Sequence, residues 1–548
     1  MIRKVSKQIG ELSMVHSFSS ELRGEYIQQL EGDAFDLLVI GGGVAGAGIA
    51  LDAVVRGMKT VLIERADFAS GSSGAWSTLF HNESRQAHQL DMKWHGEYVK
   101  ERLILHENAP HLMKQLPLLL PAFKVSMFGR HSFGSKVVER ISDLARKEKR
   151  KHLSKKELNR LAPLLSDKSI KGAVLYHEFW RDDARLVFDL LKEATRRGAM
   201  ALNYMKAETF LYENGKAVGV VAIDQLTGEA YKVFAKKIIN ATGIEADTLR
   251  EQDRSMSAKT IGYMTDAYMV IPKELLAIDQ VVYLELDDKK LISLAPRGKK
   301  VVLSLTNSDE RDKNEQEVML AKINQTFQQV QITPDDIEAS WHVKRPIVIE
   351  TNKKKHEAIR KNDWFESASG LVTVVCGHTT GYRLLAKQIL DRIAKKAGPF
   401  SPCETDTVTL SGGYAGSVDQ FDNYKEKRLA EGVQYGISRE KAQELVDMYG
   451  SNVGAIYARF WSYKKQARLF GLPPVIFAQL LFSIEEEMAV TPADFLVRRT
   501  AMFYFNKTEA LHVQEAVFRY MRDRFNWSEE QEAQYRLELD ALIKPASR

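Results

Sequence analysis

At 548 residues the chain is too long for a single hydrophobic core and divides into two or three domains. Its 44% apolar and 27% charged content is that of an ordinary globular protein, and a formal net charge of +6 over this length gives no case for a nucleic-acid partner. Two cysteines, Cys376 and Cys403, exclude a disulfide framework and fit the cytoplasm.

The start, MIRKVSKQIGELSMVHSFSSELRGEY, is basic and lacks the apolar segment of a signal peptide. Residues 35–65, FDLLVIGGGVAGAGIALDAVVRGMKTVLIER, predict strand, glycine loop, helix and strand. FDLLVI and KTVLIE are continuous apolar runs, as parallel strands covered on both faces require. Between them Gly41, Gly43 and Gly46 stand in G-x-G-x-x-G spacing. The first allows a tight turn, the second a close backbone approach to a pyrophosphate, and the third lets helix pack on strand. Ala45 lies in the first helical turn, whose free N–H groups face the phosphates. Glu64 ends the second strand, where an acid accepts a ribose hydroxyl. With strand, helix, strand and acid all in place, the segment predicts dinucleotide binding.

Residues 71–90, GSSGAWSTLFHNESRQAHQL, bring a histidine, an arginine and hydroxyls to the place where an anionic substrate is expected, beside the incongruous Ala75, Trp76 and Glu83. The apolar stretch LPLLLPAF (116–123) falls far short of the roughly 20 residues a membrane-spanning helix needs. Two basic stretches, 145–160 and 352–361, read either as solvated surface or as attraction to anionic lipid. Residues 183–200 have helical spacing, and 201–243 read as β-hairpins turned at ENGK and LTGE and ending in the buried strand KKIINATG. Strand-rich sequence continues over 281–307, and 370–398 predict strand, glycine turn and helix. From about residue 420 the pattern is helical, after a Gly/Ser/Thr-rich boundary at 398–417.

The fold class expected is α/β: a split Rossmann-like domain (about 30–110, 165–250 and 365–398), an antiparallel-sheet substrate domain (about 111–164 and 251–364) and an all-α C-terminal domain (399–548). An insertion of hairpins between the pieces of the parallel sheet suits FAD rather than NAD.

The segments DLLVIGGGVAGAGIALDA, ERADFASGSS, HENAPHL, DDARLV, INATG, ASWHVKRP, CGHTTGYRLLA, YGSN and EEEMAVTPADFLVRRT occur in one order over nearly the whole chain. In them the sequence resembles the FAD-dependent (aerobic) glycerol-3-phosphate dehydrogenases and alpha-glycerophosphate oxidases. The resemblance implies oxidation of sn-glycerol 3-phosphate, a phosphorylated polyol, to dihydroxyacetone phosphate. Hydride goes from C2 to the flavin, a basic side chain takes the hydroxyl proton, and cations hold the phosphate. It further implies quinone or oxygen as electron acceptor, a peripheral contact with the inner face of the cell membrane, and compatibility with a homodimer.

Position by position, Gly71, Ser72, Ser73, Leu79, His81 and Arg85 fit the family pattern. Ala75 stands for an arginine, Thr78 for a lysine, Gln86 for a tyrosine, and Asn82 and Glu83 for a glycine pair. MTDAY (264–268) takes the place of T-K-G-V-H, Lys290 of a phosphate-holding arginine, His378 of a lysine beside the flavin, and TGIE (242–245) of T/A-G-P-W. The catalytic candidates are therefore His81 as base, Arg345 and Lys290 as phosphate cations, and Arg85, His378 and Tyr382. The cofactor candidates are Gly41, Gly43, Ala45, Gly46, Glu64, Ser72, Ser73, Ala207, Thr242, Gly243, Gly377, Thr379 and Thr380, with no metal ligands expected. The departures leave two alternatives open: a shifted polyol-phosphate or hydroxy-acid substrate, or an FAD-binding sensor or partner protein without catalysis.

Overall fold

The computed structural model describes residues 17–32, 34–74, 78–79, 92–123, 151–165, 167–286, 290–309, 312, 314–350 and 361–543. Two sheets organise it. The first has the order Asn362–Glu366, Val372–Cys376, Ala230–Asn240, Ala34–Ile40, Thr60–Ile63, Met200–Leu202. The other five run parallel, and Asn362–Glu366 closes one edge antiparallel. The helix Val44–Val55 crosses between the first two strands in the chain, giving the βαβ unit read from the sequence. The apolar runs follow from this position: Leu37, Leu38, Val39, Val61, Leu62 and Ile63 are fully enclosed.

The hairpins over 205–240 attach to the same sheet through Ala230–Asn240. Their first turn uses Asn214 and Gly215, both with positive φ (49° and 73°), the backbone a two-residue hairpin turn demands. The strands 205–224 thus extend the cofactor sheet rather than the substrate domain.

The second sheet is mainly antiparallel, in the order Ala339–Glu350, Lys259–Pro272, Lys300–Ser308, Leu291–Arg297, Val281–Glu285, Lys114–Ala122, Gly172–Arg181, Thr78–Leu79. LPLLLPAF proves to be one of its central strands, with Leu118 and Leu119 fully buried. Gly172–Arg181 pairs with Lys114–Ala122 along its whole length, so residues 172–181 belong to this sheet although the sequence grouped them with the cofactor part. The sheet has two dissimilar faces. One, with Met269, Ile271, Ile292 and Leu294, packs on the helix Glu315–Thr326. The other, with Tyr268, Val270, Val343, Tyr176 and Trp180, forms a separate cluster joined by Phe505 of the helical domain.

Residues 418–543 are helical, as the periodicity predicts, and include a π-helical turn at Asp494–Arg499. Arg499 binds Asp67 through both terminal nitrogens (2.6 and 2.9 Å) and also donates to the Glu487 carbonyl, all out of solvent. Arg185 likewise holds Glu487 with two hydrogen bonds (3.1 and 2.6 Å). These buried pairs fasten the helical domain to the cofactor domain.

Candidate active site

The cofactor cradle follows from three glycines and one acid. Gly41 has φ +116°, and a Cβ there would lie 2.5 Å from the Ala241 carbonyl oxygen. A Cβ on Gly46 would lie 1.9 Å from the oxygen of Gly41, so helix and loop meet only because neither carries a side chain. Gly43, the glycine that must face a phosphate, has nothing but the Ser73 hydroxyl near its missing Cβ, at 3.2 Å. Ser73 in turn accepts from the Val44 N–H at 3.0 Å, and Ala45 and Gly46 follow in the same buried turn. Glu64 accepts from the N–H groups of Gly42 (2.7 Å) and Ala66 (3.0 Å), and burial pushes its carboxyl above the usual range.

Thr242 is held against Asn240 by its N–H and hydroxyl, and Gly243, at φ +66°, faces open space. Thr379 and Thr380 are buried in the turn after Val372–Cys376, and a Cβ on Gly377 would lie 2.7 Å from the Lys361 oxygen. Ser72 lies beside Ser73 in the short helix Ser72–Gly74. These loops converge at the C-terminal ends of the parallel strands, where open α/β sheets bind their ligands. A cleft closed to side chains at two points, open at two glycines and ended by the half-buried acid Glu64 fits FAD. Ala207 lies on the hairpin strand Met205–Glu213 opposite Ala222, two residues beyond Met205, whose N–H donates to the Glu64 carbonyl at 2.7 Å.

Facing the cradle is the strand Ala339–Glu350, which lies against Ser72–Gly74 and Gly243–Glu245. Arg345 is 7% exposed on this strand; its Nε donates to Asp266 Oδ2 (2.8 Å) and its Nη2 to the Tyr268 hydroxyl (2.9 Å). Burial works against its charge, and Tyr268, Asp266 and Asp183 outweigh this and hold the guanidinium firmly protonated. Asp183 is paired with Arg181, whose Nη2 donates to the Thr379 hydroxyl. A polar chain thus links Arg345 to the cofactor turn. Tyr268 stacks on Trp341 (5.4 Å between centroids, 7° between planes), and Trp341 meets Tyr504 and Phe505. Arg297, clamped on Asp182 by two bonds (2.6 and 2.8 Å), lies over Phe505 at 3.9 Å.

Of the remaining expected residues, Lys290 is not on this face. It pairs with Glu315, at the start of the helix that covers the opposite side of the sheet. His378 is 1% exposed, edge-on to Tyr98 at 5.8 Å, with its backbone bound at both ends by the Asn362 amide. Tyr382 packs into the core against the helix Val44–Val55, where a Cβ on Gly48 would lie 2.4 Å from its ring. His81 and Arg85 lie outside the described residues, as do Ala75, Asn82, Glu83 and Gln86. Asp266, Tyr268 and the Arg181–Asp183 pair were not expected as site residues. Their signals were the altered MTDAY and the DDAR segment, which only the fold brings together.

Comparison with known proteins adds the following. A family model described as FAD dependent oxidoreductase matches residues 36–386, and one described as the C-terminal domain of alpha-glycerophosphate oxidase matches 403–532. The aerobic glycerol-3-phosphate dehydrogenase of Bacillus subtilis (strain 168) is 37% identical over 97% of this chain and 99% of its own. That of Staphylococcus aureus (strain USA300) is 36% identical over 96% and 98%. The structure of the Bacillus halodurans glycerol-3-phosphate dehydrogenase complexed with FAD superposes with a TM-score of 0.83 at 34% identity, covering 97% of this chain and 99% of that one.

Proposed function

Because this chain belongs to the family of FAD-dependent glycerol-3-phosphate dehydrogenases and alpha-glycerophosphate oxidases, we propose that it oxidises sn-glycerol 3-phosphate to dihydroxyacetone phosphate. The observation that carries the reading is Arg345, buried opposite the cofactor turn with its Nη1 edge uncommitted among the described residues. FAD, held in this cradle, would supply the two-electron acceptor for the oxidation at C2 of the substrate. The chain's own contribution is position and charge. Arg345 meets a phosphate oxygen; the Tyr268 hydroxyl holds one end of the guanidinium, and Trp341, packed on Tyr268 and against Phe505, holds Tyr268 in place. The proton of the C2 hydroxyl needs a base, and we assign it to His81 on its place in the sequence.

The reading extends to quinone as electron acceptor, reached from the membrane surface. Among the described residues no single helix is long and apolar enough to cross a bilayer; one bent pair, Lys464–Phe470 with Pro474–Glu486 at 96°, passes by length and composition. Beside that bend Trp461 (63%), Tyr463 (40%) and Leu469 (84%) are exposed among Lys464, Lys465 and Arg468. Aromatic, apolar and basic side chains in one place support a peripheral contact with anionic lipid.

A second reading, a less charged polyol or a hydroxy acid as substrate, is favoured by one observation. Arg345 already faces a carboxylate of the protein, Asp266. Anaerobic titration of the flavin-loaded protein with sn-glycerol 3-phosphate separates the two. Bleaching of the visible flavin band is the expected result. A flavin that dithionite reduces but the phosphate ester does not overturns the first reading.

A further inference from the structure

Asp266 sits where the ladder between Lys259–Pro272 and Lys300–Ser308 is irregular: the register shifts between Thr265 and Ala267. Opposite the shift Asn307 adopts φ +55° and donates its N–H to Asp266 Oδ1 at 3.3 Å. Bulges of this kind re-aim a side chain. Here the side chain is aimed at Arg345, with Oδ2 accepting from Nε at 2.8 Å, and Asp266 is only 3% exposed. The other flank of the guanidinium is taken by the Tyr268 hydroxyl at 2.9 Å. Of the fork that can seize a phosphate with two parallel bonds, one edge is already spent inside the protein, and a negative charge lies beside what remains.

We propose that Asp266 is a specificity-determining residue, whose carboxylate holds the Nε edge of Arg345 and limits how much negative charge the site accepts from its substrate. The proposal rests on the reading that Arg345 meets the substrate. A phosphate dianion arriving at Arg345 approaches the Asp266 carboxylate as well, and like charges at such a distance oppose binding. An uncharged hydroxyl group arriving there meets no such opposition. Asp266 therefore lowers affinity for a phosphate ester without opposing a neutral polyol. The bulge and the Asn307 N–H keep the carboxylate in place whether or not a ligand is present.

The test uses the flavin-loaded protein and the variants Asp266→Asn, which keeps the shape and removes the charge, and Asp266→Glu, which keeps the charge. Calorimetry with inorganic phosphate reads the anion site directly. Steady-state kinetics with sn-glycerol 3-phosphate and with glycerol read discrimination. For Asp266→Asn we expect phosphate affinity to rise about tenfold or more, with KM for the phosphate ester falling relative to KM for glycerol. Asp266→Glu should stay near the wild type. Phosphate affinity that is unchanged or lower in Asp266→Asn overturns the proposal. Should Asp266→Asn fail to fold, Asp266→Ser carries the same expectation. If the wild type does not turn over glycerol 3-phosphate at all, the functional reading falls, while the phosphate titration still decides the role of Asp266.

Discussion

Arg345 is identifiable in the sequence from the segment KRP, but its chemistry is not. Its partner Asp266 lies 79 residues away and reaches it only because two antiparallel strands set Met264 opposite Arg345. Replacing Arg345 with alanine removes the cation and its bond to the buried Asp266, a change that costs about 2–5 kcal/mol in comparable pairs. We expect kcat/KM for glycerol 3-phosphate to fall by roughly a hundredfold or more while the flavin stays bound; an unchanged kcat/KM would remove Arg345 from the substrate site. Lys290 illustrates the opposite case. Its residue type fits a phosphate site, yet it stands in the turn just before the strand Leu291–Arg297, where it pairs with Glu315, and a cation alone does not reveal which side of the sheet such a turn serves. Tyr382 is similar: its place after the glycine turn fits a flavin contact, and the missing side chain of Gly48 draws its ring into the core instead.

Elements were more legible than residues. The βαβ unit, the Asn-Gly hairpin, the switch to helices near residue 420 and the place of Glu64 at the end of the second strand all follow from local rules of period and turn chemistry. What local rules miss is which sheet a strand joins, since Gly172–Arg181 alternates equally well in either. Gly46→Ala tests the closeness of loop and helix. A Cβ 1.9 Å from the Gly41 oxygen cannot be accommodated, and we expect a loss of about 1–3 kcal/mol together with flavin released on gel filtration. The edge strand Asn362–Glu366 offers a pH test. Burial pushes the Glu366 carboxyl up, but hydrogen bonds and charge from Lys237 and Lys396 outweigh it and bring it to about 2. A carboxylate lowered in the folded state stabilises above its unfolded value and loses that contribution in acid. Glu366→Gln should therefore be less stable than the wild type at neutral pH. The difference should close between pH 4.5 and about 2 in chemical denaturation; a difference constant with pH would assign it to packing.

At the scale of the whole molecule, the helical domain is tied to the cofactor domain by buried charge. Replacing Arg499 by methionine strands Asp67 in the interior, which costs on the order of 3–5 kcal/mol when one partner of such a pair is removed. We expect unfolding and flavin release to move together to a lower temperature, and the double variant with Asp67→Asn to recover part of the loss. Flavin release without a change in unfolding would show that the two domains are not coupled through this pair.

The same bond has a meaning for how the protein comes into being. The segment that bears Asp67 leads from Glu64 to Ser73, so it belongs to the floor of the cofactor site, yet its counter-charge is supplied 432 residues later. At ribosomal speeds of about 5–20 residues per second, that interval is roughly 20–90 s. During it the glycine loop, the strands beside it and Glu64 exist on a nascent chain in which Asp67 has its Asn203 bond and not yet the Arg499 charge. The nucleotide site is thus spelled out first and finished last, and a chain arrested before Arg499 emerges carries the motif without the means to keep it closed.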